Sequence, residues 1–351
     1  MNIVIRADAS KNIGSGHIMR CLVLAEALLA KGHEVAFVSR KQQGDLIDYV
    51  RSKSIDVISL CKLLQPIVVK HSADYKAWLQ VSWQEDAKEF IERVVDTDIV
   101  IVDHYAIDAK WECVVKNSLG CSVLAIDDLN REHQCELIID QNLWPDMATR
   151  YRGCSGVKLL GPKYALLRKS FSILREQDTP CKNQVLAFFG GSDLSLECMK
   201  LAKAAFTVAS LPFTLKIVAG RSNSAYQELL TMTEGTDIIV EQHIGDFDME
   251  LKQSKYVIGA SGVSNWERFC LQVPASVVSV ADNQKALARY LFDLGAIRYM
   301  GESYDTTVES YQKELEYLSS CWPDVQPLKS VFVDGLGVSR IIDKIEEVLA
   351  V

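Results

Sequence analysis

The run Asp98-Ile99-Val100-Ile101-Val102 constrains this chain more than any other stretch. Its apolar residues fall on both faces of an extended strand, so both faces have to be covered. A strand of this kind belongs in a parallel sheet between two layers of helices, not in a sheet with one wet face. The pattern recurs. Residues 2–6, 34–39, 55–60, 122–126 and 136–140 read as further strands. Helical spacing over 17–29, 41–53, 83–95 and 111–118 separates most of them, and Gly32 stops the first helix. Residues 62–77 show no clear period. A second series follows: strands at 185–189, 215–219, 237–240, 256–259 and 275–280, with helices at 195–209, 264–271 and 283–294. The alternation predicts an α/β chain.

At 351 residues the chain is long for a single core, so two domains are expected. The stretch 165–184, with Arg168, Lys169, Arg175, Glu176, Asp178 and Pro180, breaks the rhythm and reads as a connection. The expected organisation is two Rossmann-like domains with parallel sheets facing a cleft, over 1–165 and 180–335. A last helix within 336–351 carries Ile341, Ile342 and Ile345 on one face and is expected to pack back on the first domain. The net charge of −8 argues against a nonspecific nucleic-acid binder. No apolar run suits a membrane span and no export signal opens the chain, so a cytoplasmic protein is expected. The ten cysteines lack C-x-x-C spacing and are expected to be reduced, with no zinc site.

In open parallel sheets, ligands bind beyond the carboxyl ends of the strands. After the first strand comes a loop with Gly14 and Gly16, then His17 at a helix start. This is a place for an anion, with a group able to move protons near neutral pH. Asp8, at the same strand tip, is placed either to orient the imidazole or to cap the loop backbone. The glycine pair lacks a third glycine and a downstream acid, so no dinucleotide is expected, nor any other cofactor. Of Asp103, His104 and Tyr105, one is expected to face the ligand and another to stabilise the loop. Asp127, Asp128 and His133 are weighed as metal ligands and read instead as caps or solvated groups. In the second series Gly190, Gly191 and Ser192 precede a helix and suit phosphate. So do Ser261, Gly262, Val263 and Ser264, ahead of Asn265 and Glu267. Glu267 is either a helix-dipole partner or an acceptor for a ribose diol. Asn283 and Gln284 suit sugar hydroxyls, with Asp282 or Asn283 as the alternative N-cap.

The opening RADASKNIGSGHIMRCLVLAEAL resembles that of the UDP-sugar hydrolases of pseudaminic acid biosynthesis. VDHYAID, AIDD, DQN, LLGPKYALLR, FFGGSD, GASGVSNWER and ADNQ resemble the same family in the same order, from Met1 to about Gly295. The resemblance implies a GT-B fold similar to the MurG glycosyltransferase, with the nucleotide site in the second domain. It implies hydrolysis of UDP-2,4-diacetamido-2,4,6-trideoxy-β-L-altropyranose at the anomeric carbon, with no metal. His17 matches the catalytic histidine and Tyr105 the sugar-contacting tyrosine. Glu267, seven residues before Pro274, matches the ribose-binding glutamate of the MurG-like proteins. Arg20 is expected beside the leaving diphosphate. The chain departs from the pattern at Asn265, where many relatives have threonine, and at Ser261-Gly262-Val263, which replaces a more glycine-rich run. Beyond about Tyr299 no motif is recognised. A glycosyltransferase of the same fold, a related nucleotide-sugar enzyme of the spore-coat polysaccharide type and a nucleotide-sugar binding protein without turnover are the rival readings.

Overall fold

The computed structural model describes residues 1–62, 65–322, 324–325 and 331–349. They form two compact units, one of Met1–Arg168 with the stretch from Gly335 on, the other of Lys169–Asp334.

The first unit is built on seven parallel strands: β1 (Asn2–Ala7), β2 (Glu34–Arg40), β3 (Asp56–Leu60), β4 (Ile99–Asp103), β5 (Ser122–Ile126), β6 (Leu137–Asp140) and β7 (Val157–Leu160). Their order is β3-β2-β1-β4-β5-β6-β7. Alternation along the strands sends residues to two separate cores. Ile3, Ile5, Ala7, Ile99, Ile101, Leu124 and Ile126 pack under the helix Gly16–Ala30 with Ile18, Cys21, Leu22 and Leu28. Val4, Val100, Val102, Val123 and Ala125 face the helices Trp83–Arg93 and Ala109–Leu119 through Phe90, Trp111 and Val115. The last helix, Gly337–Leu349, joins the first core through Val338, Ile341, Ile342 and Ile345. Its start presses on the backbone of residues 164–165, where a Cβ on Gly337 would lie 2.3 Å from the Ala165 carbonyl oxygen. Only glycine fits there.

The second unit repeats the plan with six parallel strands: β8 (Lys182–Phe188), β9 (Thr214–Ala219), β10 (Ile239–Gln242), β11 (Ser254–Ala260), β12 (Ala275–Ser279) and β13 (Arg298–Glu302). Their order is β10-β9-β8-β11-β12-β13. One core joins Val185, Ala187, Ile217, Tyr256 and Ile258 to Leu201 and Ala202 of the helix Glu197–Ala205 and to Tyr311, Leu315 and Leu318 of the helix Val308–Cys321. The order reverses between β1 and β4 in one sheet and between β8 and β11 in the other, the crevices where doubly wound sheets bind ligands.

Several boundaries differ from expectation. Residues 41–53 contain only the helix Ile47–Arg51, because Asp45 accepts from the backbone of Gln42 and Ile47 and Gly44 is left-handed at φ +82°. The connecting stretch contains the helix Lys169–Glu176, whose Phe171 and Leu174 are buried. The helix expected over 195–209 runs from Glu197 to Ala205.

Candidate active site

The loop after β1 is held by its own backbone. Ser10 Oγ accepts from the amides of Asn12 and Ile13, and Gly14 N–H donates to the Ser10 carbonyl at 2.8 Å. Gly14 takes φ +78°, which glycine adopts at no steric cost. Gly16 opens the helix, and His17 and Arg20 follow one turn apart on the face turned to the sheet, both buried.

His17 meets Asp103. Its Nδ1 lies 2.5 Å from Asp103 Oδ1, and its side chain keeps 8% exposure. Burial opposes ionisation of Asp103, but Arg20 and His17 outweigh it and hold the carboxyl well below the usual carboxylate range. An ionised carboxylate only accepts, so Nδ1 is the donor of this bond, and in the neutral imidazole the lone pair falls on Nε2. Nε2 makes no hydrogen bond among the described residues. Arg20 fixes the carboxylate from the other side, Nε to Oδ2 and Nη2 to Oδ1, both at 2.6 Å. The Cys21 thiol adds a contact to Oδ2 at 3.3 Å. Arg20 Nη1 also reaches Asp128 at 3.4 Å. Arg20 is thus a 5% exposed guanidinium engaged by two carboxylates.

Aromatic rings wall the imidazole. The Tyr105 ring meets His17 edge-on at 4.5 Å between centroids, and Trp78 and Tyr75 pack against Tyr105 at 5.7 and 5.0 Å. Tyr105 donates to Asp128 at 2.6 Å, and burial followed by the Asp128 charge pushes its hydroxyl pKa well up, so it stays a donor. The Asn142 amide also reaches Asp128.

Asp8 is a correction to expectation. It does not touch His17; it accepts two bonds from Arg6, at 2.6 and 2.9 Å, and the Arg40 amide at 2.7 Å. The reason is alternation. Asp8 follows Val4 and Arg6 onto the sheet face away from the first helix, whereas Asp103 follows Ile99 and Ile101 onto the face beneath it. His104, one residue on, joins Asp8 at 3.5 Å, and burial pushes its pKa down to about 3, so it is neutral. Asp127 and His133 are engaged by Arg131 and Glu112, and no group of three or more metal-ligating side chains stands together among the described residues.

In the second unit both glycine loops sit at the β8/β11 reversal. Gly190 is left-handed at φ +94°, and Gly191 accepts from the Ser222 amide. The loop is backed by Gly220, where a Cβ would lie 2.2 Å from the Gly191 carbonyl oxygen. Ser192 is half-buried, and Asp193 places its carboxylate on the amides of Glu197 and Cys198. The helix after this loop is therefore already occupied by an acid, which leaves only the loop amides for a phosphate. The β11 loop differs. The helix Ser264–Leu271 has Val263 at its N-cap with no side-chain cap, and Gly262 turns at φ +118°. Gln284 lies over Gly262 and accepts from the Val280 amide, so it braces the loop. Asn265 is fully buried, held between Ser261 and Arg268, and is no surface for a ligand. Glu267 and Asn283 are half-buried in the first turns of their helices. Ala281, not Asp282 or Asn283, is the N-cap of the helix Asp282–Asp293.

Two Rossmann-type parallel sheets in these orders are the fold of the GT-B glycosyltransferases. The crystal structure of Acinetobacter baumannii MurG matches with a TM-score of 0.57 over 99% of each chain at 15% identity. No family model matches the chain. Among curated proteins, the UDP-2,4-diacetamido-2,4,6-trideoxy-beta-L-altropyranose hydrolase of Campylobacter jejuni is 24% identical over 305 residues, 84% of this chain and 97% of that protein. The spore coat polysaccharide biosynthesis protein SpsG of Bacillus subtilis is 23% identical over 354 residues, 97% of this chain and 96% of that one.

Proposed function

We propose that the chain is a nucleotide-sugar hydrolase that releases UDP from UDP-2,4-diacetamido-2,4,6-trideoxy-β-L-altropyranose, the substrate in the name of its Campylobacter relative. The observation that carries this reading is the His17–Asp103 pair. Nδ1 is clamped at 2.5 Å and Nε2 is left unengaged, the arrangement a general base needs. His17 Nε2 takes a proton from water as the water oxygen bonds to the anomeric carbon. The bond from that carbon to the diphosphate oxygen breaks, its electron pair leaves with UDP, and the sugar is released with inverted configuration. Asp103 stabilises the imidazolium that forms. In this reading the second unit holds UDP, the diphosphate at the amides of 190–192 and 261–264 and the ribose at Glu267. The amide dipoles take up the leaving charge, so no metal is required. Tyr105 contacts the sugar.

The test incubates the protein with this UDP-sugar alone, in ¹⁸O-water with a chelator present, and follows UDP release. The expected result is release without an acceptor, with the label on the sugar. Label on UDP, or release only when a sugar or lipid acceptor is added, rejects hydrolysis at carbon; the latter result defines a glycosyltransferase. His17→Asn is expected to lower turnover by about 10³-fold or more while UDP binding persists.

A further inference from the structure

Arg268 is a buried cation of the second unit, and the nearest opposite charge acting on it through space is that of its chain neighbour Glu267. Arg268 is 3% exposed, and no carboxylate pairs with it among the described residues. Its Nε is buried without a partner, and burial pushes its pKa down to about 10. The guanidinium lies across Gly259 of β11, where a Cβ would come 3.4 Å from Nη1. Nη2 donates to the Ala260 carbonyl at 3.1 Å and to Asn265 Oδ1 at 2.5 Å. Natural chains seldom bury an unpaired charge, because a buried ion is stable only where an opposite charge or dipole answers it.

The direction of the bonds shows what is missing. A guanidinium only donates, so the atom of Asn265 facing Arg268 has to be the carbonyl oxygen. That orients the amide, and its Nδ2 then donates to Ser261 Oγ at 3.0 Å. Ser261 Oγ is thereby the acceptor of that bond, and its own hydrogen is directed elsewhere. Ser261 is 3% exposed, and its hydroxyl hydrogen has no acceptor among the described residues. The chain of donors ends at the uncapped start of the helix Ser264–Leu271, beside the left-handed Gly262. A buried positive charge, an outgoing hydroxyl and a helix start with no side-chain cap all favour one kind of guest, an anionic oxygen.

We propose that Arg268 and Asn265 form a polarised relay that aims the Ser261 hydroxyl at an anionic oxygen of the ligand, the diphosphate if the nucleotide-sugar reading holds. Arg268 and Asn265 are positioning residues, and Ser261 is the contact. The relay rests on that reading, and the two fail differently. Affinities for UDP and for uridine are measured by calorimetry on the whole protein and on Arg268→Met, which keeps the volume and removes the charge. The expected result is a loss of about tenfold or more in UDP affinity with uridine affinity unchanged, a split that a merely structural residue would not produce. An unchanged ratio of UDP to uridine affinity overturns the relay and leaves the hydrolase reading standing. A wild-type protein that binds neither compound overturns both. Ser261→Ala, which keeps the buried Arg268–Asn265 pair, is measured in parallel: it is expected to show the same split, and equal losses for both ligands overturn the relay even if Arg268→Met fails to fold.

Discussion

Asp103 serves two groups at once. One carboxylate oxygen takes His17 and an Arg20 nitrogen, and the other takes Arg20 Nε and the Cys21 thiol. Asp103→Asn keeps the shape but turns one acceptor into a donor and removes the charge that holds the imidazole tautomer. In the proposed reaction it is expected to cut kcat by about 10³–10⁴-fold with UDP affinity preserved, as for an uncharged substitute in other carboxylate–histidine pairs; turnover within a few-fold of wild type would remove Asp103 from the mechanism. A second buried histidine yields a stability prediction. Burial alone would push the His133 pKa down, but Asp127 and Glu112 outweigh it and raise it to about 9. An unfolded histidine titrates near 6.5. The folded state therefore binds the proton more tightly, and its contribution is complete below about pH 6.5 and is lost as pH rises through 9. The loss is on the order of 3 kcal/mol. Urea unfolding at pH 6 and pH 9.5 is expected to show it, with a much smaller difference in His133→Gln. The strand pattern already contained Asp103: Ile99, Ile101 and Asp103 alternate onto the face of the histidine helix. Nearness in sequence pointed instead to Asp8, which alternation sends to the opposite face with Arg6.

At the scale of elements, what could be read from the sequence depended on burial. Strands apolar on both faces, such as β1, β4 and β5, stood out because every residue carries the signal. The edge strands β7 and β13 did not: β13 is half-buried throughout, and β7 exposes Val157 and Lys158. Short helices such as Tyr226–Thr233 and Phe247–Gln253 offer too few turns for a period to show. The helix Val308–Cys321 was legible but unread. Its Tyr311, Leu315 and Leu318 fall at helical spacing, and Thr307 and Ser310 bond reciprocally at its start. The last helix depends on one close approach. A methyl at position 337 would fall 2.3 Å from the Ala165 carbonyl oxygen and 2.6 Å from its amide nitrogen, both backbone atoms that cannot swing aside. Gly337→Ala is expected to cost about 1–3 kcal/mol in urea unfolding, because the helix start must lift and loosen Val338 and Ile341. A midpoint equal to wild type would mean that residues 164–165 yield freely.

At the scale of the whole molecule, the two units are unequal in how the chain builds them. The sheet orders are the same plan used twice, with each unit's candidate ligand residues at its own reversal point. The second unit, Lys169–Asp334, is one continuous piece with its core drawn from within. The first needs both ends of the chain: Val338, Ile341, Ile342 and Ile345 complete the core that Ile18, Cys21, Leu22 and Leu28 begin. Cutting the chain therefore has different consequences on the two sides. A fragment of residues 169–334 keeps every strand of its sheet and its apolar cluster, and is expected to unfold cooperatively in urea and to bind UDP with affinity comparable to the full chain. A chain ending at residue 334 uncovers the apolar face of the helix Gly16–Ala30 and is expected to lose the cooperative transition of the first unit while keeping that of the second. Tryptophan fluorescence distinguishes the two transitions, since Trp78 and Trp111 are buried in the first unit and Trp266 in the second. A fragment of 169–334 that stays unfolded would show that the second unit takes its stability from the first, and a fragment that folds without binding UDP would remove the nucleotide from that unit.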